Sequence, residues 1–185
     1  MAEKKDLGVT IKDESKETDE PELIMANALK KTKENISVKI VNKYVLWSMG
    51  AGLVPVPMLD ITLLAGIQLK MLHQLSENYG IKFSENIGKS VIAVLTGTIT
   101  ADVLRKSTLT SLIKSIPIIG FIGSISMPIY SGAVTYAIGK VFIQHFESGG
   151  TFLDFDPQKV KDYFTRFYKE GQKVASNFKA GMSRG

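Results

Sequence analysis

The stretch SIPIIGFIGSISMPIYSGAVTYAIG, residues 115–139, decides how this chain folds. It contains no charged residue, and Lys114 and Lys140 close it at either end. About 20 apolar residues cross a bilayer as a helix, so these twenty-five positions are long enough. Their chemistry argues against one straight span. Pro128 sits near the middle, and a proline inside a helix costs about 3 kcal/mol or more. At 1.5 Å per residue each half is then too short to span alone. Ser115, Ser124, Ser126 and Ser131 lower the hydropathy, while Gly120 and Gly123, flanked by Pro117 and Pro128, mark a bend. The first reading is a glycine-rich hairpin dipping into one leaflet. A buried turn in the core of a helical bundle follows closely, and a straight span comes third.

Helical patterns flank the stretch on both sides. Pro21 suits a helix start, and Leu23, Ala26, Leu29, Ile36, Ile40, Val41 and Tyr44 continue the pattern to about Ser48. The LVPVP segment breaks it and forces an extended link. A second helix opens at Pro57 and closes at Gly80, a good C-terminal cap. Its stripe is Leu64, Ile67, Met71 and Leu75. Ser84 can cap a third helix over about 85–105. A fourth runs over about 130–146 and ends at Ser148, Gly149 and Gly150. TFLDF reads as a short extended link, and Asp156 with Pro157 as the start of a last helix to about 178. No strand alternation and no fixed-period repeat appears. The fold class is all-α, a five- to six-helix bundle with the apolar hairpin a candidate for membrane insertion. The division is a disordered charged tail over 1–20, a helical domain over 21–156, a basic amphipathic C-terminal helix over 157–180 and a frayed tail over 181–185.

Charge and composition narrow the function. The chain has 185 residues and a net charge of +5. Residues 1–20 carry seven acids against four lysines, so the tail is at −3 and the remainder at +8. A basic folded part favours an acidic partner. Apolar content of 44% is ordinary, and a mean hydropathy of +0.08 is low for a protein built mostly of spanning helices. The absence of cysteine excludes disulfides, thiolate metal sites and a cysteine nucleophile. The start MAEKKDLGVT has no apolar core of a secretory signal, so contact with a membrane is expected from the cytoplasmic side.

Catalytic signatures are weak. Gly88, Lys89 and Ser90 look like the end of a phosphate loop, but Phe83 stands where the first glycine belongs and no strand precedes it. His73 and His145 are far apart and lack partners at metal-ligand spacing. No nucleophile elbow or paired-carboxylate motif stands out. The sequence therefore predicts no catalytic residue, no cofactor and no metal. Asp60 and Gln68 share one helical face with Leu64, Met71 and Leu75. Gln68 is expected to bond another helix and Asp60 to cap the PVP turn. The alternative is a polar site inside the bundle.

Two further patterns concern packing and surface. Ala93, Gly97 and Ala101 form a small-residue face, and Gly132 and Gly139 lie seven apart. Such faces let helices approach closely. In the last helix Val160, Tyr163, Phe164, Phe167, Tyr168 and Val174 make an aromatic stripe beside Lys159, Lys161, Arg166, Lys169 and Lys173. A basic amphipathic helix of this kind suits an anionic membrane surface, with the five cations, Phe164 and Phe167 as the lipid contacts. The competing reading docks the stripe on the protein's own core and leaves the lysines solvated. Nucleic acid is not expected, because aromatics and lysines do not alternate.

PVPMLDITLLAGIQLKMLHQLSENYG, with Pro55, Pro57, Asp60, Gln68, Tyr79 and Gly80, resembles the signature of the bacterial domain of unknown function 697. IPIIGFIGSIS, YAIGKVFIQHFESGG and GGTFLDFDP resemble later parts of the same domain, over about residues 30–170. The resemblance implies an α-helical, membrane-associated domain often fused to, or encoded near, a small GTPase domain. This chain carries no GTPase portion, and the resemblance assigns no role to Asp60 or Gln68. The leading expectation is a non-enzymatic membrane-associated helical module, an accessory or scaffold for a GTPase or for its own assembly. Its place would be the cytoplasmic face of the inner membrane, or the cytoplasm. The alternative is a soluble self-assembling helical scaffold, a homo-oligomer. A small-ligand binder using Asp60 and Gln68 comes third.

Overall fold

The structure is a computed structural model of the chain, and it describes residues 19–52, 59–106 and 127–182. Within them lie five helices and no strand: α1 Asp19–Ala51, α2 Leu59–Tyr79, α3 Glu85–Lys106, α4 Met127–Glu147 and α5 Lys161–Met182. Residues 1–18 of the charged tail expected over 1–20, the PVP turn and the first half of the 115–139 stretch lie outside the described residues, and Asp19 and Glu20 already belong to α1. The last helix reaches two residues into the segment expected to fray.

The second half of the decisive stretch forms the centre of the bundle. Every residue of 131–139 is buried, and α1, α2 and α5 all pack on α4. Small residues permit this. A Cβ on Gly139 would stand 2.5 Å from Val41 Cγ2 of α1, and one on Gly132 would stand 2.7 Å from Met49 Cγ. On the other flank, a Cβ on Gly171 of α5 would stand 2.8 Å from the carbonyl oxygen of Ala133. No real Cβ fits at such distances, so α1 and α5 reach α4 closely only because these positions have no side chain. This corrects the hairpin expectation for residues 131–139, which are covered by the protein's own helices. Pro128 is not at the middle of a helix either. It lies in the first turn of α4, where its missing N–H costs nothing. Among the described residues no helix is long and apolar enough to cross a membrane.

The remaining elements follow from local chemistry. In α1 Val41, Tyr44, Val45, Ser48 and Met49 recur at i, i+3, i+4, i+7 and i+8, and all are buried. The N-terminal half has no such face, and every residue of 21–36 is exposed. The chain leaves α2 through Gly80, whose φ of +70° is the left-handed conformation glycine adopts freely. The Gly80 N–H donates to the Glu77 carbonyl at 3.1 Å and the Ile81 N–H to that of Ser76 at 2.8 Å. These two bonds satisfy carbonyls that a helix end leaves open. Gly88, Lys89 and Ser90 lie inside α3, where Gly88 meets Leu69 and Leu72 of α2.

The end of the bundle that holds the α4–α5 connection is closed by aromatics. Phe142 stacks on Phe155 with centroids 4.5 Å apart and rings parallel within 1°. Phe152 and Phe146 close on the same ring at 5.4 and 5.5 Å. Burial of each such ring stabilises the fold by roughly 2–3 kcal/mol. TFLDF is thus not an extended link but a packed clasp. The Asp154 carboxylate accepts from the Thr151 N–H at 2.6 Å and also from the Thr151 hydroxyl. The Asp156 carboxylate accepts from the Gln158 N–H at 2.9 Å. Residues 157–160 form a turn that feeds α5, so that helix begins four residues later than Pro157 suggests.

Candidate functional site

Three places carry the residues that sequence singles out. The first is buried. Gln68 of α2 is 1% exposed, and its Nε2 donates to Thr135 Oγ1 of α4 at 3.2 Å. Thr135 Oγ1 also shares a hydrogen bond with Ser48 Oγ of α1 at 2.7 Å. A hydroxyl has one proton and two acceptor sites, so Thr135 accepts from Gln68 and either hydroxyl can donate in the bond to Ser48. Three helices are therefore tied at one polar node inside an apolar core. Asp60 lies in the first turn of the same helix, and its side chain is outside the described ones. The node does not bring Gln68 together with a base, a nucleophile or a metal set. Among the described residues no group of three His, Asp or Glu is placed to hold a metal ion.

Both histidines edge the aromatic cluster. The His73 ring meets Phe83 edge-on at 4.7 Å, and Phe83 meets Phe152 at 5.4 Å. His145 stands edge-on to Phe155 at 5.0 Å, and its Nε2 is 2.8 Å from the Thr151 carbonyl oxygen. Gly150 lies directly under the His145 ring, and a Cβ there would run into it. His145 therefore holds the clasp to the end of α4. Near it, Tyr79 donates to Glu147 Oε1 at 2.9 Å and joins the ends of α2 and α4. A cleft of about 430 Å³ opens between these ends and Ala26, Leu29, Lys30 and Lys33 of α1.

The third place is the outer surface of α5. Phe164, Tyr168, Gly171 and Ala175 are buried along α4. Phe164 is 0% exposed, so its assignment as a lipid contact is corrected: its ring belongs to the core. Phe167 is half-buried against the same core. The cations face outward. Lys159, Lys161, Arg166, Lys169 and Lys173 are all exposed, and Arg166, Lys169 and Lys173 make one row at i, i+3 and i+7. The Arg166 guanidinium lies over the rings of Tyr163 and Phe167, at 5.1 and 5.4 Å, and Lys140 Nζ lies 5.9 Å from Phe167. Tyr163 remains 44% exposed at the edge of this surface. Two acids border the row: Asp162, exposed one turn before Arg166, and Glu170, which accepts a hydrogen bond from Tyr136.

The small-residue faces separate. Gly132 and Gly139 lie at the α1–α4 contact described above. Ala93, Gly97 and Ala101 are exposed on α3, and a Cβ on Gly97 would meet nothing within 4 Å. Sequence reasoning did not find the clasp residues Thr151 and Asp154, nor Thr135 as the partner of Gln68. The alternation of phenylalanines with Thr151 and Asp154 in TFLDF was the available signal for the clasp.

The chain is 38% identical over 146 residues to Magnetosome membrane protein 22 of Magnetospirillum gryphiswaldense, covering 78% of this chain and 75% of the relative. No solved structure matches it. The Domain of unknown function (DUF697) matches residues 18–173, which take in all five helices up to the middle of α5. The chain belongs to the DUF697 family.

Proposed function

We propose that this protein is a non-catalytic helical module that associates with a membrane by laying the basic face of α5 on anionic headgroups. The observation that carries the reading is the row Arg166, Lys169 and Lys173 beside the exposed Tyr163, on a helix whose opposite face is committed to the core. Lys159 and Lys161 extend the positive surface at the start of the helix. A juxtaposed cation at an anionic leaflet contributes about 1 kcal/mol. The name of the magnetosome relative, a membrane protein, supports the same direction. In this reading the membrane is met from the cytoplasmic side, and a GTPase is the protein partner that the family resemblance implies. Peripheral docking explains the function without asking α4, the bundle's central helix, to leave its core.

The test is co-sedimentation of the full chain with vesicles containing phosphatidylglycerol and with neutral vesicles. Binding is expected only to the anionic vesicles and is expected to fall as salt rises. Reversing Arg166, Lys169 and Lys173 to Glu should lower affinity more than about 100-fold. Equal binding to neutral vesicles, or binding indifferent to the three reversals, overturns the proposal.

A further inference from the structure

The N-terminal half of α1 is exposed throughout residues 21–36 and still carries large apolar side chains. Leu23, Ile24, Met25 and Leu29 are each about three-fifths exposed or more, and Ile36 is 42% exposed. Exposed apolar side chains gathered on one segment mark an interaction surface. Their arrangement shows what covers them. Glu22, Leu29, Ile36 and Lys43 recur every seven residues, so they form one line down the helix. Val41, Val45 and Met49 meet the core from another side of the helix, while Leu29 borders the cleft beside Tyr79 and Lys43 donates to Gln74 Oε1 of α2 at 3.2 Å, so the line runs along the edge of the bundle. Met25 and Trp47, 67% and 57% exposed, flank it one turn from Leu29 and Lys43.

From its N-terminal end the line reads acid, apolar, apolar, base, and from the other end base, apolar, apolar, acid. Such a pattern is complementary to itself when reversed. We propose that α1 pairs antiparallel with α1 of a second copy of this chain, forming a two-fold dimer. The axis passes between positions 32 and 33. Leu29 of each copy then packs on Ile36 of the other, and Met25 on the part of Ile40 that its own core leaves open. Glu22 of each copy faces Lys43 of the other, and the two ion pairs close the ends. The same surface on both copies satisfies a two-fold interface. A parallel pair would set Glu22 against Glu22 and Lys43 against Lys43, which is repulsive. An anionic bilayer is the poorer occupant, because Glu22 lies on the line itself. The proposal does not depend on the membrane reading of α5, which concerns another surface.

Light scattering of the full chain in plain buffer, coupled to size separation, tests it. A dimer is expected at micromolar concentration. Leu29→Glu with Ile36→Glu should give a monomer with the same helix content and thermal midpoint, because both side chains are exposed. Lys43→Glu alone should weaken the dimer at least about 10-fold, and adding Glu22→Lys should restore it. Orientation is read from introduced thiols, since the chain has no cysteine of its own. Leu29→Cys and Ile36→Cys chains should crosslink when mixed, and neither should crosslink efficiently alone. A monomeric wild-type chain overturns the proposal, as does a dimer indifferent to Leu29→Glu and Ile36→Glu. If those two changes instead abolish vesicle binding by a wild-type monomer, lipid is the occupant and the proposal fails.

Discussion

At the scale of single residues, one hydroxyl joins three helices. Thr135 Oγ1 serves both Gln68 and Ser48, and all three side chains are buried. A buried polar group that loses its partner keeps its full desolvation cost, about 1–3 kcal/mol. Thr135→Val keeps the shape and strands two groups at once, so it is expected to destabilise the fold by about 2–4 kcal/mol. Ser48→Ala removes one bond while Thr135 still accepts from Gln68, and should cost about 1 kcal/mol. Adding Ser48→Ala and Gln68→Leu to Thr135→Val should recover most of the loss, since no polar group is then left without a partner. Urea midpoints of the four proteins decide it, and strictly additive losses would show that the node is not a unit. The sequence shows why Gln68 was legible and Thr135 was not. An amide within an apolar stripe is conspicuous. A threonine among small residues in an uncharged run looks like any other part of that run.

At the scale of elements, the helices were legible because each carries its own period and its own stop. α3 begins at Glu85 as expected, and α2 ends against the left-handed Gly80. Two features were not legible, for the same reason. Residues 131–139 carry no charge on any side, and a helix that is largely apolar all round is buried by protein or by lipid with equal logic. Only the close fit of Gly132 and Gly139 to Met49 and Val41, a matter of tertiary structure, decides for protein. TFLDF is too short for a period, and its order comes from rings that reach back to α4. The clasp makes a prediction that an extended link would not. Phe155 is 9% exposed and stacked on Phe142, whereas Leu153, two residues earlier, is 86% exposed. Phe155→Ala should cost about 3 kcal/mol and lower the thermal midpoint by about 6–12 °C for a chain of this size. Leu153→Ala should change stability by less than about 0.5 kcal/mol. Equal small effects in differential scanning calorimetry would return the segment to a loose linker.

At the scale of the whole molecule, the tyrosines distribute stability over pH. Five of the six tyrosines are raised above the ordinary phenol value. Burial is the main cause in each. At Tyr79 burial raises the phenol to about 12, Ser37 opposes the shift and the Glu147 carboxylate adds to it. Burial, with Tyr130 adjacent and Gln172 opposing, takes Tyr168 to about 12 as well. Tyr136 moves further up, through burial and its hydrogen bond to Glu170. These five rings belong to α1, α2, α4 and α5, so the effect reaches across the bundle. In the unfolded chain the phenols ionise near pH 10, while the folded chain holds their protons. The folded state thus binds more protons than the unfolded one between about pH 10 and about pH 12, and stability must fall as pH rises through that window. Below it this contribution is complete. The urea midpoint should therefore be markedly lower at about pH 11 than at about pH 8. Tyrosinate absorbance should appear together with the loss of helix, as rings are released on unfolding. Tyrosinate from all six residues forming near pH 10 while the helical signal persists would mean that the rings are open to solvent and the bundle is looser than its packing requires.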